Sequence, residues 1–209
     1  MESRARKYYA FFGSLIAWVA VITQFVLLMQ NTKVAEAETV IRFFSYFTIL
    51  TNLLVASYFT AVFIGCPFQR IFPYRRAGFL TATTLYITVV SLVYQIVLRP
   101  LWSPKGLQFV VDETLHSVVP IMTIIFWALY EKKKKVRWSQ IPGWLIYPLA
   151  YFFYIMIRGG FSGFYPYPFV NVDQLGMDKV LLNAVFLLIL FALLGALYIS
   201  IGKAIARKN

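Results

Sequence analysis

The chain has one cysteine and one histidine in 209 residues, and only eight acidic side chains. A single cysteine, Cys66, excludes an intrachain disulfide and leaves the redox compartment open. One histidine and one cysteine far from it do not make the clustered ligand set of a zinc site, so neither a metal nor a cofactor is expected. Charged residues are also scarce, at 13%, against 60% hydrophobic and 19% aromatic. The mean hydropathy of +0.71 is beyond what a soluble domain of this length reaches. No polar stretch is long enough to form a soluble domain, a linker or a low-complexity tail, and no repeat is evident. The sequence therefore reads as one domain over residues 1–209.

Long apolar runs take the place of what is missing. Six run roughly over 9–29, 43–65, 78–98, 112–130, 142–158 and 180–201. Each approaches the ~20 residues that cross ~30 Å of hydrocarbon at 1.5 Å rise. The expectation is an all-α integral membrane protein, a bundle of six transmembrane helices. The basic "RARK" before the first run and "AEA" after it imitate a signal peptide. That run is longer than a signal peptide's apolar region, so it is read as an uncleaved helix.

The net charge of +12 acquires its meaning when it is mapped. Fourteen Lys/Arg fall before span 1, between spans 2 and 3, between spans 4 and 5, and after span 6, and six fall on the other side. The acids divide two against six in the opposite sense. The positive-inside rule places both termini in the cytoplasm, and in the cytoplasmic membrane if the source is bacterial. Anionic lipid headgroups on that side are the expected partners of the basic loops, and nucleic acid is not.

Polar side chains inside spans should face other helices or a water-filled cavity. In span 2, Ser45, Thr48, Thr51 and Asn52 share an arc of about 120°. Span 3 carries Thr81, Thr84, Thr88, Ser91 and Gln95 within about 80° and ends at Arg99. Span 4 aligns Asp112, His116, Pro120, Thr123 and Trp127, and span 5 aligns Tyr147, Tyr151, Tyr154 and Arg158. Asn183 opens the otherwise apolar span 6. Such stripes commonly serve helix packing. Here, however, Thr48, Gln95, His116, Arg158 and Asn183 fall at one depth near the same side, which suggests a cavity opening there.

The lone histidine has a distinctive setting. Asp112 is one turn before it and could orient the imidazole, although an acid near a helix start could equally cap it. Pro120 cannot donate to the carbonyl of residue 116, so the helix should be distorted at His116. A Thr48 hydroxyl facing that imidazole would pair a weak nucleophile with the base it needs. Asn52 and Asn183 are candidate donors to an oxyanion. Gln95, Tyr154 and Arg158 are candidate substrate contacts, with Arg158 able to hold a carboxylate. The "GFSG" at 160–163 resembles the G-x-S-G of six-pass rhomboid proteases, but no histidine follows Ser162, and the stretch reads as a turn.

Together, "FFSYFTILTNLLVA", "LHSVVP" followed by "FWAL", and "FYPYPF" before the last span resemble the androgen-induced protein family, in a short form of the kind bacteria carry. The resemblance covers the whole chain. It implies a six-pass membrane hydrolase of fatty acid esters of hydroxy fatty acids, with a threonine nucleophile at Thr48 and a histidine base at His116. Where animal members continue with acidic or amide-rich residues, this chain has "ILTN", so the pair carries over further than the substrate does. Two other functions fit the residues: a small-molecule or proton-coupled transporter using Asp112 and His116 as a relay, and a non-catalytic lipid-binding membrane protein.

Overall fold

The computed structural model describes residues 4–67 and 73–208, without the side chain of Lys208. Among these residues the chain is helical and contains no strand. Six helices are long and apolar enough to cross a membrane: Arg4–Asn31, Phe47–Ile64, Phe79–Leu101, Leu107–Tyr130, Trp138–Ser162 and Met177–Arg207, here spans 1 to 6. Apolar side chains cover much of the outside, among them Ile96, Phe161 and Leu193, as a surface facing hydrocarbon would require.

Contacts between span ends fix the arrangement. The Arg6 guanidinium near the start of span 1 lies 5.9 Å from the Phe126 ring near the end of span 4. Lys203 near the end of span 6 lies over Trp138 at the start of span 5. One face of the bundle therefore carries both termini, and the opposite face carries the 1–2, 3–4 and 5–6 connections. Span 3 is central, packed on spans 2, 4 and 6, while span 1 lies against spans 2 and 4. The 1–2 seam is close because Gly13 lies under the Phe59 ring, where a Cβ would sit 2.8 Å from it.

Span 5 packs mainly on span 6 and reaches span 2 through its tyrosines. The Tyr151 hydroxyl donates to the Ser45 carbonyl at 2.8 Å, Tyr147 pairs with Thr51 Oγ1 and Tyr154 with Ser45 Oγ, each at 3.3 Å. The two polar stripes thus interlock. Pro148 inside span 5 cannot donate to the Trp144 carbonyl, and the buried Tyr86 hydroxyl donates to that oxygen at 2.7 Å.

Span 2 departs from the expected continuous helix. A separate short helix, Glu36–Phe43, precedes it, and the transmembrane helix starts at Phe47 after an extended Tyr46 (ψ 124°). No Gly or Pro marks the break. Side chains hold it instead: Ser45 Oγ donates to the Ile41 carbonyl at 2.7 Å, and Tyr151 takes the Ser45 carbonyl that the helix ladder has lost. As a result Thr48 is the second residue of a helix N-terminus, where backbone N–H groups lack helical partners.

Spans 3 and 4 each contain one π-helical turn, Tyr94–Leu98 and Thr114–Val118. The second sits directly before Pro120. The helix absorbs the missing donor by widening one turn, with the Val119 N–H given to the Thr114 carbonyl.

Candidate functional site

A chamber of about 850 Å³ lies between spans 1, 2, 3 and 4. Residues 101–105 and 166–168 line its rim, which places its mouth at the face opposite the termini. Thr48 and His116 both line it, as does Asp112. Both Thr48 and His116 are buried, and no hydrogen bond joins them directly among the described residues.

The imidazole is held on two sides. The π turn brings His116 Nδ1 to 2.8 Å from the Asp112 main-chain carbonyl. A carbonyl only accepts, so Nδ1 carries the hydrogen and Nε2 keeps its lone pair. The ring also stacks on Tyr94 from the π turn of span 3, at 3.8 Å between centroids and 11° between planes. Two widened turns on neighbouring helices thus supply the imidazole and the ring it stacks on. Turns of this kind are frequent at functional sites.

The Asp112 carboxylate does something other than expected. It accepts from Trp102 Nε1 at 2.7 Å and from Gln108 Nε2 at 3.0 Å, and Gln108 also donates to Gln24 Oε1 of span 1. It does not reach the imidazole. The orientation comes from the backbone carbonyl of Asp112, and its side chain ties the 3–4 connection to spans 1 and 4. Because span 4 begins at Leu107, Asp112 lies inside the helix and does not cap it.

Thr48 meets a residue that the sequence did not single out. The Tyr167 hydroxyl accepts from the Thr48 backbone N–H at 3.2 Å and pairs with Thr48 Oγ1 at 3.3 Å. Its ring is fixed parallel to Phe169, 5.2 Å away at 4°, and edge-on to Tyr46. Burial pushes the Tyr167 phenol up to about 12, although its bonds with Thr48 oppose the shift. It therefore remains a protonated donor at physiological pH. Tyr167 belongs to "FYPYPF", so the motif marked the segment without revealing this role. Loop position also depends on Gly159, where a Cβ would be only 2.1 Å from the Tyr165 ring.

The other candidate residues do not line the chamber. Asn52 gives both amide hydrogens away, to the Thr48 carbonyl at 2.9 Å and the Leu115 carbonyl at 3.3 Å. It is a tie between spans 2 and 4 behind the chamber wall, and its donors are not available to an oxyanion. Asn183 donates to the Phe169 carbonyl at 2.9 Å and anchors the 5–6 connection. Gln95 donates to Ser117 Oγ at 3.0 Å and accepts from Arg99, which also pairs with Glu113, so this group clamps spans 3 and 4. Tyr154 serves the span 2 break through Ser45. Arg158 is buried and pairs with Glu38 at 2.8 Å and Ser162 Oγ at 2.7 Å, fastening the Glu36–Phe43 helix to span 5. Ser162 in turn donates to the Arg158 carbonyl one helical turn back and accepts from the Phe164 N–H; contrary to the expected turn, residues 160–162 of "GFSG" are the last residues of span 5, and only Gly163, at φ 65°, leaves the helix. Shared depth did not bring these residues together, because depth does not fix the direction around the bundle axis.

Among the described lining residues Lys105, at the rim, is the only cation. No group of His, Cys, Asp and Glu suited to a metal ion occurs among the described residues. Comparison with family models, curated proteins and solved structures found no match.

Proposed function

We propose that this chain is a membrane-embedded hydrolase of fatty-acyl esters, with Thr48 as nucleophile and His116 as general base. The observation that carries the reading is that Thr48 and His116, 68 residues apart in sequence, line one chamber beside an apolar protein surface, with the imidazole held in the tautomer that leaves Nε2 free. The resemblance to the androgen-induced family points to the same two residues.

The chemistry follows from the placement. Thr48 Oγ1 attacks the ester carbonyl carbon and its proton passes to His116 Nε2. In the resting state the Tyr167 hydroxyl is occupied with Thr48. As Oγ1 forms its new bond, that phenol can turn to the carbonyl oxygen that gains charge. The positive end of the span 2 helix, at Thr48, favours the same charge. Collapse breaks the ester C–O bond, and the leaving alkoxide takes the proton from His116. Water then attacks the acyl-threonine with His116 again as base. The Thr48 oxygen leaves and regains its proton, giving acid and alcohol. At the chamber mouth, Lys105 could hold a carboxylate of the substrate, a role the buried and paired Arg158 does not fit.

We further propose that both termini are cytoplasmic, on the 14-to-6 division of Lys/Arg. The chamber then opens to the extracytoplasmic side of the cytoplasmic membrane, and the basic loops face anionic headgroups. Purified protein assayed against a panel of lipid and fluorogenic esters tests the function. Turnover lost in folded Thr48→Ala and His116→Ala supports it. Absence of turnover by the native chain on every ester, or its survival in either variant, speaks against it and leaves transport or passive lipid binding.

A further inference from the structure

A second cavity meets the chamber at Thr48. It is a cleft between spans 2, 3, 5 and 6, with about 90 Å³ of room against about 850 Å³ in the chamber. Thr48, Tyr167 and Leu98 line both, so they form the wall between a mainly apolar chamber that also carries Gln24, Lys105, Gln108, Asp112 and His116 and a cleft with almost no polar lining. Most other lining residues of the cleft are aliphatic or aromatic, including Val90, Pro148, Ile155, Leu187, Leu188 and Phe191. The cleft exists because span 5 stands away from span 2, bridged by long tyrosine side chains.

We propose that this cleft binds a single fatty-acyl chain, with its carbonyl end presented at Thr48 and the rest of the substrate in the chamber that holds His116. The assignment of the carbonyl end rests on the hydrolase reading, whereas occupancy of the cleft by a hydrocarbon chain does not. Water gains no hydrogen bonds in such a crevice, and an empty crevice forfeits contacts, so hydrocarbon is the occupant a bilayer offers. The small room fits one flexible chain and excludes a ring system or a headgroup. The hydroxyls at its inner end, Thr48 and Tyr167, would meet the first polar atoms of that chain. An ester placed this way spans the wall: acyl methylenes on the apolar side, carbonyl at the Thr48 hydroxyl, alcohol portion toward His116 and the chamber mouth.

The test is photo-crosslinking of the purified full chain with a long-chain fatty acid bearing a mid-chain diazirine, followed by peptide mapping. The expected adducts concentrate on Val90, Leu187, Leu188 and Phe191. Excess long-chain methyl ester should compete them away, and butyrate should not. Ala184→Trp, which fills the cleft from span 6, should abolish them, and Ala184→Leu should reduce them if the larger change prevents folding. His116→Ala should leave them intact. Loss of turnover with retained cleft adducts in that variant separates the two proposals, as do cleft adducts in a chain that hydrolyses nothing. Adducts spread evenly over the lipid-facing surfaces of spans 1 and 6, adducts unaffected by both Ala184 variants, or adducts that no long-chain ester displaces would overturn the proposal.

Discussion

Tyr167→Phe removes one oxygen and little else. The ring keeps its parallel partner Phe169 and its edge contact with Tyr46. Lost are the acceptor of the Thr48 N–H at 3.2 Å and the partner of Thr48 Oγ1 at 3.3 Å. Both bonds are at the long end of the neutral range, where each contributes about 0.5–1.5 kcal/mol. The larger effect is the N–H left buried at the start of span 2, with a penalty of about 1–3 kcal/mol. Stability should fall by an amount in that range, or roughly 2–4 °C of melting temperature per kcal/mol for a chain of this size. Turnover should fall further than folding does. If the phenol turns to the oxyanion, its removal should lower kcat by about 10²–10³-fold with KM little changed. Thermal unfolding in detergent, followed by tryptophan fluorescence, and initial rates on a fluorogenic ester measure the two effects separately. Native melting and native kcat in the variant would refute the reasoning. A lowered melting point with native kcat would confine Tyr167 to a structural role.

Three other substitutions give separate expectations. Asp112→Asn should change kcat by less than about tenfold, because the main-chain carbonyl holds His116; a loss near 10⁴, as when a triad loses its carboxylate, would contradict this. Gly159→Ala should lower both melting temperature and turnover, since a Cβ 2.1 Å from Tyr165 must displace the segment carrying Tyr167; an unchanged variant would show that the segment adapts. Glu38 is held below the usual glutamate range by hydrogen bonds from Arg42 and then Arg158. A depressed carboxyl contributes stability above its unfolded value of about 4.3 and loses it as pH falls through the lower folded value. Acid melting curves of the native chain should therefore steepen below about pH 4.3, and Glu38→Gln should flatten them; identical curves would remove the role assigned to this pair.

The six spans were legible because apolar length is a property of sequence alone, although some ends moved by as many as six residues, as at the end of span 6, Arg207. Helical phase also sufficed to put Thr48 and His116 on inward faces, and the structure places both on one chamber. The break before Phe47 was hidden, since it is held by tyrosines of span 5 and carries no Gly or Pro of its own. The two π turns were similarly silent, although Pro120 signalled a distortion where one of them lies. Asp112 found partners in Trp102 and Gln108, and Thr48 found Tyr167 119 residues away. Contacts of that range depend on how the helices rotate and lean, which polar phase within each span does not determine. Arg158 shows the same limit, because its partner Glu38 lies on a short helix within the expected 1–2 link, 120 residues away in sequence.

The most direct test of the proposed threonine–histidine hydrolysis is an attempt to trap an acyl intermediate. Purified protein mixed with a long-chain activated ester and quenched within the first turnover should carry one acyl group, mapped by tandem mass spectrometry to Thr48. The adduct should be absent from Thr48→Ala and should form far more slowly in His116→Ala. An acyl group on another residue, or full ester turnover by a folded Thr48→Ala protein, would contradict the assignment.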